Sequence, residues 1–132
     1  MQRMRVLLAD GHPGLLLVTR NLLETDVDVV GCVDNGEALF DAAMKLAPDV
    51  IVTDISMPKL NGIEAVNRLR EARCSAKVVF LTVHDDLDIV RAALEAGALG
   101  YVLKTSLTTD LLVAIREAFA NRAFVSTEAS GE

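Results

Sequence analysis

Aromatic residues are scarce: they make up 4% of the 132-residue chain, with one tyrosine and no tryptophan. A stacking platform for single-stranded nucleic acid needs such rings, so that class falls away and the core must be aliphatic. Cysteine is nearly missing as well, with only Cys32 and Cys74 and no CxxC spacing. Two separated thiols in apolar surroundings make neither a disulfide framework nor a zinc site, and they point to a cytoplasmic compartment. No apolar run approaches the roughly 20 residues of a bilayer crossing, so no membrane is expected. The first ten residues lack the long apolar core of a secretory signal. Positive charge is also short, with 13 Lys and Arg against 19 Asp and Glu and a net charge of −6. Phosphate backbones demand a cationic surface, so this domain does not bind nucleic acid by itself.

What is present is apolar and periodic. Hydrophobic residues make up 52% and charged residues 24%, which excludes disorder and fits one folded domain. Short apolar runs alternate with helical patterns. Runs at 4–9, 27–33, 50–53, 76–82 and 99–103 are too short for helices and rich in branched residues. Between and after them lie five helical patterns. Pro13 suits the first turn of one. Asp34-Asn35-Gly36 opens the second, and Asn61-Gly62 precedes the third. Asp85 or Asp86 is expected to cap the fourth, and Thr105 or Ser106 the fifth. Periodicity is lost from Asn121 onward. Strands apolar on both faces imply a parallel sheet covered by helices on both sides. The expected fold is α/β: a doubly wound sheet of five parallel strands with five helices. Its ligand site should lie beyond the carboxyl ends of the strands.

Asp10 and Gly11 follow the first strand, Asp54 follows the third, Thr82 ends the fourth and Lys104 follows the fifth. Alone, each aspartate reads as a turn or cap residue, Thr82 as a strand residue and Lys104 as a solvated charge. Together they place two carboxylates, a hydroxyl and an ammonium at one sheet edge. A carboxylate there can ligate a metal or attack phosphorus. A pair of carboxylates suits Mg2+, and Thr82 and Lys104 suit phosphoryl oxygens. His12 is expected to serve the local turn, and His84 to be a solvated loop residue. A small α/β hydrolase or phosphatase is disfavoured, because no nucleophile elbow, Gly-rich nucleotide loop or Cys–His pair is present.

These residues resemble the receiver domain of two-component response regulators over about residues 4–121. Val50-Ile51-Val52-Thr53-Asp54-Ile55-Ser56-Met57-Pro58 with Gly62 is similar to the phosphoacceptor strand and loop. Leu81-Thr82 resembles the hydroxyl position, and Gly100-Tyr101-Val102-Leu103-Lys104 the last-strand signature. Ala9-Asp10-Gly11-His12-Pro13 and Leu81-Thr82-Val83-His84-Asp85-Asp86 look like the LuxR/NarL-type transcription regulators. Lys104 is followed by Thr105 and not by proline. A cis bond there would cost about 2.5–4 kcal/mol, so a trans bond is expected.

The resemblance implies a flavodoxin-like receiver fold with strand order 2-1-3-4-5. It implies that Asp54 accepts a phosphoryl group from a sensor histidine kinase. Asp10, Asp54 and the Ser56 backbone carbonyl would hold Mg2+. Thr82 and Lys104 would bind the phosphoryl oxygens. Thr82 and Tyr101 would move together and repack the surface of the fourth helix, fifth strand and fifth helix. Such a domain is no enzyme beyond its own phosphotransfer and dephosphorylation. A homodimer is a further expectation.

One residue departs from the pattern. The family usually carries two adjacent acids after the first strand, and here the second is Gly11. Mg2+ affinity is expected to weaken by at least about 10–100-fold. Gly11 also leaves open a second reading, a pseudo-receiver serving as a phosphorylation-independent interaction or dimerisation module. Residues 1–121 read as the receiver. Residues 122–132, with Phe124-Val125-Ser126, read as the start of a linker toward a helix-turn-helix domain outside this chain. DNA binding would belong to that domain.

Overall fold

The computed structural model describes residues 3–126. β1 (Arg5–Ala9), β2 (Asp28–Val33), β3 (Val50–Thr53), β4 (Lys77–Thr82), β5 (Gly100–Leu103) and β6 (Phe124–Val125) form one sheet. Its order is β2-β1-β3-β4-β5-β6, and every pairing is parallel. The five helices are α1 (Pro13–Leu23), α2 (Gly36–Leu46), α3 (Gly62–Glu71), α4 (Leu87–Glu95) and α5 (Leu107–Phe119). The expected receiver fold and strand order are present, with one strand more than the five expected.

Alternation along the strands feeds two aliphatic cores. Val6, Leu8, Val52, Leu81 and Val102 pack with Leu23 of α1 and with Leu111 and Ile115 of α5. Leu7, Ile51, Phe80 and Tyr101 face the other way, against Leu39, Val66, Leu69 and Val90 from α2, α3 and α4. Strands buried on both faces leave only their ends for polar chemistry.

Local chemistry sets the helix starts, though not always as the sequence suggests. Asn35 caps α2 by accepting from the Ala38 amide at 2.8 Å. Asn61 caps α3 by accepting from the Glu64 amide at 2.9 Å, and its side-chain amide donates to Glu64 Oε1 at 2.7 Å. Asp86 and Ser106 stand at the caps of α4 and α5 but make no side-chain cap hydrogen bond there. A 3-10 turn over Lys104–Ser106 leads into α5 and supplies that entry instead. The Lys104–Thr105 bond is trans, as expected.

The sixth strand corrects the reading of the tail. A two-residue strand carries no periodicity, so only its partners reveal it. Phe124 donates to the Leu99 carbonyl at 2.9 Å and Ser126 to the Tyr101 carbonyl at 2.8 Å. The buried Ser126 hydroxyl donates to Asp110 Oδ2 at 3.0 Å and accepts from the Leu103 amide at 3.3 Å. Residues 122–126, expected as linker, thus extend to the edge of β5. The rest of that expected linker, 127–132, lies outside the described residues.

Candidate functional site

Strand register places the acids. Ala9 pairs with Thr53, so Asp10 and Asp54 leave neighbouring strands at the same level. The Asp54 amide continues the ladder by donating to the Ala9 carbonyl at 2.9 Å. Thr82 pairs with Leu103, so Lys104 follows one residue beyond. Gly62 fixes the far side of the β3–α3 loop. Its amide donates to Ile55 O at 2.8 Å, and a Cβ there would collide with the Asp54 carbonyl.

The three charged side chains meet. Lys104 Nζ lies 2.9 Å from Asp54 Oδ2 and 3.0 Å from Asp10 Oδ2. The other oxygen of each carboxylate is held by a backbone amide: Asp10 Oδ1 by His12 at 2.8 Å, and Asp54 Oδ1 by Ile55 at 2.8 Å. All three side chains are largely buried, Lys104 at 11% exposure and the aspartates at 6% and 5%. Burial works against the Lys104 charge. The hydrogen bonds and charges of Asp54 and Asp10 outweigh it, and the Lys104 pKa ends above its ordinary value.

Thr82 is fully buried, and its hydroxyl accepts from the His84 amide at 3.3 Å. Tyr101 is fully buried beneath the β4–α4 loop and donates to the His84 carbonyl at 2.8 Å. Its ring lies 6.4 Å from that of Phe80 at a tilt of 52°. Burial, then the charges of Asp86, Asp85 and Asp54, push the Tyr101 hydroxyl up to about 12.

His84 is not the solvated residue expected. It is half-buried, and its Nε2 meets Ser56 Oγ at 2.8 Å. The partners lie 28 residues apart, so no local spacing could signal the contact. Only the joint placement of both loops past neighbouring strands does so. His12 contributes its backbone amide, in keeping with a turn role.

Gly11 opens the β1–α1 loop toward Ser56. A Cβ built there would stand 3.6 Å from the Ser56 carbonyl oxygen and 3.5 Å from Pro58 Cδ, both ordinary contacts. Its φ lies outside the left-handed region, so nothing in the backbone requires glycine. Among the described residues, no group of three or more His, Cys, Asp or Glu could hold a metal. A cleft of about 360 Å3 lies at the opposite end of the strands, bounded by Arg70, Cys74, Lys77 and Leu99. None of the site residues lines it. Among the described residues, no helix is long and apolar enough to cross a membrane.

The chain is similar to known proteins over most of its length. A family model described as the response regulator receiver domain matches residues 6–116. The nitrate/nitrite response regulator protein NarL of Escherichia coli K12 is 38% identical over 123 residues, 92% of this chain and 57% of that protein. The chain thus spans somewhat more than half the length of that relative. A two-component response regulator of the LuxR family from Aurantimonas superposes with a TM-score of 0.93 at 30% identity. That match covers 99% of this chain and 95% of the other. The RcsB response regulator of Salmonella typhimurium, described for its conformational dynamism in DNA interaction, superposes at 0.89 with 32% identity. It is covered to 67%, and this chain to 99%.

Proposed function

The chain belongs to the response regulator receiver family, with NarL- and LuxR-type regulators among its relatives, and from that premise we propose that Asp54 is its phosphoacceptor. The convergence of Asp10, Asp54 and Lys104 at the strand ends carries this reading. Asp54 Oδ2 attacks the phosphorus of a phosphohistidine on a sensor kinase. The new O–P bond forms as the P–N bond breaks, and the leaving imidazole takes up a proton. Lys104 neutralises charge on the transferred group, and the Thr82 hydroxyl gives up its contact with the His84 amide to donate to a phosphoryl oxygen.

Movement of Thr82 reaches the β4–α4 loop and Tyr101 with it, because Thr82 and Tyr101 each hold His84. A new dianion therefore biases the packing of α4, β5 and α5. Homodimerisation through a helical face is the expected consequence. Control of DNA would be exerted through the part of the relatives' length that this chain does not span. The domain turns over no substrate apart from its own phosphoryl group, and its chemistry belongs to the cytoplasm.

The test is incubation with a small phosphodonor, followed by intact-mass measurement. One phosphoryl group is expected on the native chain and none on Asp54→Asn. Failure to label the native chain would favour a phosphorylation-independent interaction module. Gly11 is the observation behind that second reading, and it predicts that Asp54→Asn leaves self-association unchanged.

A further inference from the structure

The acid site carries its own counter-ion. Two carboxylates face one ammonium, which leaves a single net negative charge, and each carboxylate oxygen that faces away from Lys104 already accepts a backbone amide. A carboxylate at position 11 would raise the deficit to two and add a ligand beside the Ser56 carbonyl. Glycine supplies neither. Mg2+ dehydrates reluctantly and needs hard oxygen ligands in near-octahedral array. The side chains present therefore do not fit a divalent ion held in the resting state, in disagreement with what the family implies.

We infer that Lys104, and not a divalent metal, is the resident counter-ion of the Asp10–Asp54 pair, and that Gly11 is the residue that keeps it so. The inference rests on reading this pair as the receiver's acid site, but it concerns the unphosphorylated protein and is tested without a phosphodonor. Glycine at 11 is not imposed by the fold. The backbone is unstrained there, and an added side chain meets only ordinary contacts beside Ser56 and Pro58. One substitution should therefore create the metal site.

The full chain would be titrated with MgCl2 against KCl of equal ionic strength. Thermal unfolding and Tyr101 fluorescence would be read together. Tyr101 is the sole tyrosine in a chain without tryptophan, so its emission reports directly beside the site. The native protein should show no saturable response at millimolar Mg2+. Gly11→Asp should show one, saturating at least about 10–100-fold below any concentration at which the native protein responds. Gly11→Asn, similar in size but uncharged, should stay silent. A saturable response in the native protein at or below millimolar Mg2+ would overturn the inference. A folded Gly11→Asp that stays silent, or a Gly11→Asn that responds as strongly as Gly11→Asp, would overturn the role of Gly11. A Gly11→Asp that fails to fold would contradict the open space at position 11 and count against it too.

Discussion

The two halves of the site are built from different interactions. At the ends of β1, β3 and β5, three buried charges hold one another, and backbone amides fix the two carboxylates. At the end of β4, two neutral hydroxyls meet the backbone of one loop residue, His84. Breaking a buried charge pair costs several kcal/mol, whereas one neutral hydrogen bond is worth about 1 kcal/mol. The ionic half is thus an anchor. The hydroxyl half sits in the energy range that a single new charge can reverse, which is what the proposed switch role of Thr82 and Tyr101 requires.

The largest effect should come from removing the ammonium. Lys104→Gln leaves Asp10 and Asp54 facing each other in a buried setting, at a cost of about 3–5 kcal/mol in urea unfolding at neutral pH. A variant as stable as the native protein would refute the anchor role.

Alkaline pH tests both halves together. Tyr101 rises from 10.0 to about 12 in the folded chain, chiefly through burial. Lys104 is also raised. Both groups hold their protons more tightly folded than unfolded. The stability they contribute is therefore complete below about pH 10 and is lost as pH climbs through the folded values. For Tyr101 the loss is on the order of 2–3 kcal/mol between pH 10 and 12. Tyrosinate absorbance should titrate near 12 in the native chain and near 10 in denaturant. A native midpoint at 10 would mean that the ring is not held under the loop.

The anchor was legible in the sequence, and the switch contacts were not. Asp10, Asp54 and Lys104 each follow an apolar run, and parallel strands necessarily bring such residues to one edge. Thr82 was nameable from its place at a strand end and Tyr101 by resemblance, but their bonds depend on how a loop folds back. The same holds for Ser56 and His84, which are distant in sequence and joined only because their loops are neighbours. Strand β6 escaped for another reason. Two residues show no period, and the network of Ser126, Asp110 and Leu103 that seats it is purely tertiary.

Tyr101→Phe sharpens the switch half. It deletes the 2.8 Å bond to the His84 carbonyl and keeps the ring against Phe80. The expected cost is about 1 kcal/mol, with faster hydrogen exchange confined to the β4–α4 loop. Exchange that also quickens at Asp54 or Ile55 would show that the two halves are not separable at rest.

The smallest effect belongs to the bridge between the halves. Ser56 is exposed and His84 half-buried, so their 2.8 Å contact competes with water. Ser56→Ala should therefore change stability by less than about 0.5 kcal/mol. Its backbone carbonyl is retained, so any change in phosphodonor labelling arises from freeing the His84 ring at the mouth of the site. A cost above about 1 kcal/mol would instead make the bridge a third structural anchor. The division into a fixed ionic half and a movable hydroxyl half would then have to give way to a loop locked to both.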